Sequence, residues 1–170
     1  MNIVLTGFMG TGKSVVGRQV AETLKAPFVD LDAMIVKKAG QSIKEIFASA
    51  GEPAFRALES QVVVEVSRQA GKVIATGGGA LLDPQNREHL QRTGILVCLS
   101  AKKDTLLERL KADLSRPLLE GENPEKRIER LLKEREAIYA LCPVQIDTEG
   151  KTITQVADEI IQKVGSKWRS

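Results

Sequence analysis

The sequence predicts an α/β fold, a parallel sheet with helices on both faces. Three observations lead there. Short apolar runs alternate with longer stretches of helical period along the whole chain. Two of the runs, Ile3-Val4-Leu5 and Ile95-Leu96-Val97, are continuously hydrophobic, as strands buried on both faces should be. A glycine-rich turn, "GFMGTGKS", joins the first run directly to a stretch of helical period.

Taken in order, "NIVLT" reads as the first strand and residues 14–25 as the first helix. "FVDLD" is the second strand, followed by helices near 33–50 and 54–70, with Ser42 and Glu45 spaced as a capping box. "KVIATG" is the third strand. Asp83-Pro84 then puts a capping side chain ahead of a proline at the first position of a helix near 84–92. "ILVCLS" is the fourth strand and leads to a helix near 103–112. A helix near 125–140 precedes "VQIDT", the fifth strand, and the chain closes with a helix near 152–164. In that helix Ile153, Val156, Ala157, Ile160, Ile161 and Val164 form one stripe, and Thr152 with Gln155 makes a second capping box. One segment breaks the pattern: "ADLSRPLLEGENP" is too long and irregular for a simple turn, and reads as a mobile flap or a plain surface loop.

No repeat, low-complexity tract or linker divides the 170 residues, so residues 1–170 are expected to form one domain. The net charge of +3 comes without a basic block, and four Phe, one Tyr and one Trp leave little for base stacking; nucleic acid is not an expected partner. No apolar run approaches the ~20 residues of a membrane span. Cys98 and Cys142 have neither a close pairing nor metal-ligand spacing, and read as reduced thiols of a cytoplasmic protein.

The glycine-rich turn carries the chemistry. Gly7, Gly12, Lys13 and Ser14 match G-x-x-x-x-G-K-S/T, after a strand and before a helix, which is the context a phosphate loop requires. Glycines let successive N–H groups turn toward phosphate oxygens, and the following helix adds its positive end. Lys13 is expected to neutralise the β- and γ-phosphates and the Ser14 hydroxyl to hold Mg²⁺. The expected ATP-binding run is Gly10, Thr11, Gly12, Lys13, Ser14 and Val15. Gly17 is expected to bring the helix close to the sheet. A guanine-reading N-K-x-D segment is lacking and the chain is short for motor elements, so a kinase for a small acceptor fits better than a switch or a motor.

Other residues invite competing readings. Asp30 and Asp32 end the second strand, where alternate side chains face opposite ways, so they are expected to divide their tasks; one of them could simply cap the next helix. Three consecutive glycines, Gly77-Gly78-Gly79, imply that something approaches the backbone closely, a ligand or only a packed neighbour. By itself Arg56 is a surface arginine, and Arg135 one charge in "EKRIERLLKERE", a solvated helix face. His89 has no partner in the sequence that gives it a role.

"GFMGTGKS", "FVDLD", "GEPAFRALE", "TGGGA", "SRPLL" and "REAIY" occur in the order and approximate spacing of shikimate kinases, and the resemblance runs from residue 2 to about 163. It implies a phosphate-loop NTPase fold of the nucleoside-monophosphate-kinase type: a five-stranded parallel sheet in a three-layer α/β/α arrangement, with a substrate-binding region at about 32–60 and a mobile lid at about 112–124. It implies transfer of the γ-phosphate of ATP to the 3-hydroxyl of shikimate, a step of aromatic amino-acid biosynthesis, by a cytoplasmic monomer using Mg²⁺. The matching residues are Asp32, Arg56, Gly78 and Arg135 for shikimate, with both arginines on its carboxylate. Lys13, Asp32 and Arg116 match the catalytic set, Arg116 being the lid arginine that also touches the nucleotide. Arg109 matches a residue near adenine, and Asp30 lies near the metal, reaching it through water. Val15 departs from the pattern, standing where the family commonly has threonine. Another small-molecule kinase, or a nucleotide switch without an acceptor, remains a rival.

Overall fold

Strands β1 (Asn2–Gly7), β2 (Phe28–Asp30), β3 (Val73–Ala75), β4 (Gly94–Ser100) and β5 (Val144–Asp147) form one parallel sheet in the order β2-β3-β1-β4-β5. The computed structural model describes residues 1–111 and 123–168. β1 is central, and its register runs Val4↔Ile74 on one side and Val4↔Leu96 on the other. Its alternating side chains reach two separate cores. Ile3 and Leu5 pack with Val16, Val20 and Ala21 of α1 (Lys13–Leu24) and with Val156, Ala157 and Ile160 of α7 (Ile153–Val164). Val4 turns to the other face, where Leu31 and Ile35 of α2 (Leu31–Ala39), Val62 of α3 (Ile43–Val66) and Leu90 of α4 (Pro84–Thr93) cover it. The result is the expected three-layer sandwich, in which each fully buried Leu or Ile contributes about 1.5–3 kcal/mol.

A third, smaller core lies beneath the phosphate loop. Phe8 and Met9 pack there on Leu106 and Leu110 of α5 (Lys103–Lys111) and Ile128 of α6 (Pro124–Tyr139). The loop is therefore seated on apolar side chains. Cys98 and Cys142 are both buried free thiols in the same core as Val4.

Local signals explain most helix ends. Thr152 and Gln155 form the expected capping box, and Asp83 accepts from the Gln85 N–H ahead of Pro84. Ile153 departs from its stripe, being about half exposed in the first turn. The expected helices near 33–50 and 54–70 need correction. The first ends at Ala39, capped by Gly40 with φ 68°, and Ser42 with Glu45 starts the next. The expected break between 50 and 54 is present, since within Ile43–Val66 two helical stretches meet at Gly51, with φ 78° and ψ 174°, just before Pro53, and the second ends at Val66.

The loops after β1, β2 and β3 leave the same edge of the sheet, the carboxyl ends where open α/β sheets bind ligands. Close approach of α1 brings the first of them into place. A Cβ on Gly17 would lie 2.6 Å from Phe28 Cε2 and 3.2 Å from Leu5 Cδ1. Gly17→Leu is expected to lower stability by about 1–3 kcal/mol through overpacking, despite leucine's better helix propensity. A denaturant midpoint at or above that of the wild type would contradict this account of the α1–sheet contact.

Candidate active site

The phosphate loop folds as its glycines require. Gly7 has φ 128°, and a Cβ there would run into the Leu99 carbonyl. Gly12 caps α1 in the left-handed region, with no side chain satisfying the first N–H groups and no acidic residue in the first turn. The helix end is thus left to an anion. Lys13 folds back over the loop, its buried Nζ donating to the Gly7 and Phe8 carbonyls at 2.9 and 2.8 Å. Thr11 ties the turn together by donating to the Phe8 carbonyl at 2.7 Å. Ser14 Oγ donates to Asp30 Oδ2 at 2.6 Å, and Arg109 Nη1 donates to the Gly10 carbonyl at 3.1 Å. Val15 shows about half its surface to solvent beside the helix end.

Next to this loop is a cleft of about 490 Å³, bordered by Met9, Phe47 and Phe55 and floored by Gly77, Gly78 and Gly79. The three glycines have separate neighbours. A Cβ on Gly77 would lie 2.9 Å from Glu59 Oε1 and 3.0 Å from Asp32 Oδ1. One on Gly78 would lie 3.2 Å from Arg135 Nη1, and one on Gly79 2.7 Å from both terminal nitrogens of Arg56. Two carboxylates and two guanidinium groups therefore rest against three successive α-carbons.

Pairing inside the cleft is uneven. Arg56 Nη1 donates to Glu59 Oε2 at 2.7 Å, while its Nε and Nη2 donate to the more exposed Glu52 at 3.2 and 3.1 Å. Burial works to lower the Arg56 pKa, but the two glutamates more than offset it and the net shift is upward. Glu59 is almost wholly buried, and burial raises its pKa despite the opposing pull of Arg56. The desolvation cost falls on the more deeply buried partner. Its Oε1 has no hydrogen-bond partner among the described residues, and neither have Nε and Nη1 of Arg135. Arg135 is only 3% exposed, its guanidinium 5.6 Å from the centre of the Phe8 ring. A buried guanidinium with open donors suits a planar anion.

The expected residues divide accordingly. Lys13, Ser14, Asp30 and Arg109 gather at the phosphate loop, and Asp32, Arg56, Gly78 and Arg135 at the cleft. Arg116 and most of the segment at 112–124 lie outside the described residues. The reading of Arg135 as part of a solvated face is overturned, since the helix turns it inward between Phe8 and Gly78. The strand argument for Asp30 and Asp32 also fails: β2 ends at Asp30, whose Oδ1 caps α2 by accepting from the N–H groups of Asp32 and Ala33. Asp32 reaches the cleft from the first turn of α2. Glu59 is missing from the sequence expectations. It was traceable, because it interrupts the apolar stripe Phe55, Val62, Val66 three residues after an arginine.

A family model described as shikimate kinase matches residues 9–165. A shikimate kinase of Caldanaerobacter subterraneus subsp. tengcongensis is 48% identical over 161 residues, which cover 95% of this chain and 94% of that one. One from Geobacter metallireducens is 48% identical over 159 residues, covering 94% and 89%. Among solved structures, shikimate kinase from Acinetobacter baumannii in complex with shikimate superposes with a TM-score of 0.94 at 40% identity, covering 98% of this chain and 93% of that one.

The Glu59 shift gives a signed pH dependence. A carboxyl whose native pKa is raised holds its proton longer in the folded state, so its contribution is complete below the ordinary value of 4.5 and is lost as pH rises through the raised one. Against Glu59→Gln, the wild type should therefore lose relative stability as pH increases from 4.5 upward. Denaturant midpoints of both proteins across that range test it, and a wild type that gains on the variant with rising pH would contradict the assignment.

Proposed function

The chain belongs to the shikimate kinase family, and on that premise we propose how it moves the γ-phosphoryl group of ATP to the 3-hydroxyl of shikimate, giving shikimate 3-phosphate and ADP on the way to aromatic amino acids. The observation that carries the reading is the meeting of two guanidinium groups and the Asp32 carboxylate in one cleft beside a phosphate loop. Shikimate bears a carboxylate at one end of its ring and hydroxyls at the other. Arg56 and Arg135 take the carboxylate, Arg135 through the donors that have no partner among the described residues. Asp32 accepts a hydrogen bond from the 3-hydroxyl, orients its oxygen and takes its proton as the new P–O bond forms. The Gly78 N–H supports the ring.

At the phosphate loop, the backbone from Gly10 to Val15 cradles the nucleotide phosphates, and the Lys13 ammonium follows the transferring group. Ser14 and Asp30 present hard oxygen donors within 2.6 Å of one another, a set that fits Mg²⁺ shared with the phosphates. Bound there, such an ion would supply positive charge to offset that of the nucleotide phosphates. Val15 supplies no hydroxyl there, so the phosphates keep one contact fewer. Arg109, held on the Gly10 carbonyl, is assigned to the adenine side. Arg116, in a lid at about 112–124, closes over the transferring phosphoryl group and excludes water. We take residues 1–170 as one domain, with the acceptor region at about 32–60. Among the described residues no helix is long and apolar enough to cross a membrane, and we propose a cytoplasmic monomer that does not engage nucleic acid.

A coupled assay of ADP release, run with and without shikimate, is expected to show release that depends on shikimate; release indifferent to it would indicate a nucleotide switch. Lys13→Met should fold normally and lower kcat by about a hundredfold or more, the scale for losing one preorganised stabiliser of transition-state charge. Near-normal turnover in that variant would refute the role of the loop.

A further inference from the structure

Tyr139 has no part in the proposed reaction, yet it holds Gly78, the middle residue of the cleft floor. It lies one helical turn after Arg135 on α6, so the two side chains stand on the same face. Its hydroxyl donates to the Gly78 carbonyl at 2.6 Å across 61 residues of sequence. The Arg135 guanidinium rests against the α-carbon of the same glycine. One helix thus grips one residue of the glycine segment at two points.

The carbonyl of Gly78 and the N–H of Gly79 belong to one rigid peptide plane and point opposite ways. Fixing the first fixes the second. Gly79 is the residue against which both terminal nitrogens of Arg56 are pressed, so the orientation of this plane bears on the distance between the two guanidinium groups. The tyrosine is suited to the task. Burial pushes its pKa up to about 12, against the opposing pull of the nearby Arg135, so the hydroxyl keeps its proton and remains a donor at any working pH. Its ring packs against the core around Val4 and the one beneath the phosphate loop, which holds the phenol in place.

We propose that Tyr139 is a positioning residue for the carboxylate end of the acceptor: by holding the Gly78 carbonyl it sets the peptide that spaces Arg56 and Arg135. This rests on the assignment of both arginines to that carboxylate. The hydroxyl makes no contact with substrate in this scheme and acts only through the two guanidinium groups.

Tyr139→Phe removes the hydroxyl and keeps the ring, and its thermal midpoint verifies that the cores are intact. Steady-state kinetics with shikimate and ATP varied separately should show KM for shikimate raised about three- to tenfold, the scale of one lost hydrogen bond. The kcat and the KM for ATP should stay within about twofold, because the lost contact serves acceptor binding in ground and transition state alike. The variant is then repeated on an Arg135→Ala background, where its effect should fall below about twofold, since with one guanidinium gone there is no spacing between the two left to set. An unchanged KM for shikimate, an equal loss in the KM for ATP, or a full-sized effect without Arg135 would overturn the proposal. If Arg135→Ala alone leaves the KM for shikimate unaltered, the carboxylate assignment itself fails, and with it the route proposed for Tyr139; if only Tyr139→Phe is silent, the assignment stands and the positioning role falls.

Discussion

The cleft proposed for the acceptor depends on one constraint: the backbone of Gly77-Gly78-Gly79 must be approachable on the side where other residues carry a Cβ. Each glycine has a charged group at a distance that a methyl would occupy, Asp32 and Glu59 at the first, Arg135 at the second and Arg56 at the third. Four charges from α2, α3 and α6 are thereby held around one short stretch of chain. A Cβ at Gly77 or Gly79 would overlap these groups and one at Gly78 would press Arg135 back, and the segment follows β3, a fully buried strand.

Such a cluster is costly unless its charges oppose and are partnered. The arrangement meets this in part. Arg56 is satisfied by Glu59 and Glu52, whereas three other atoms, Glu59 Oε1 and Nε and Nη1 of Arg135, have no hydrogen-bond partner among the described residues. An arrangement of this kind, incomplete as folded, suits the proposed binding of an acid with several hydroxyls, which would supply the missing acceptors and donors. The phosphate loop follows the same principle with opposite means, since the helix end at Gly12 has no side-chain cap and Lys13 stays turned onto its own loop. Both halves of the site are built on loops at the carboxyl edge of a sheet whose central strands β1 and β3 are wholly buried, so the rigid part of the fold positions groups that must themselves remain accessible.

The sheet and the phosphate loop were legible in the sequence because they depend on local patterns: apolar runs of strand length, caps, and glycines at fixed offsets. Asp83-Pro84 and Thr152 with Gln155 formed the ends they announced. The junction at Gly40 and Ser42 was misread although its capping box was visible, and the box starts a new helix because it satisfies N–H groups that a continuous helix would leave to the preceding turn. In the cleft, the presence of Gly77-Gly78-Gly79 was plain but their neighbours were not, since those come from α2, α3 and α6. Arg135 could not be told from its exposed neighbours in a charge-rich helix, for burial is decided by which face meets Phe8. Asp32 was assigned to a strand that ends two residues before it.

The most direct test of the glycine constraint is calorimetric titration of Gly79→Ala with shikimate and with ATP. Gly79 has φ −108° and ψ −1°, a conformation open to alanine, so the substitution introduces the clash with Arg56 without straining the backbone. The long arginine side chain can yield, leaving the fold intact but the guanidinium displaced. The account predicts a shikimate dissociation constant raised by about tenfold or more, the scale for weakening one charge-assisted pair, with ATP affinity and thermal midpoint nearly unchanged. A Gly79→Ala protein that binds shikimate as tightly as the wild type would contradict it.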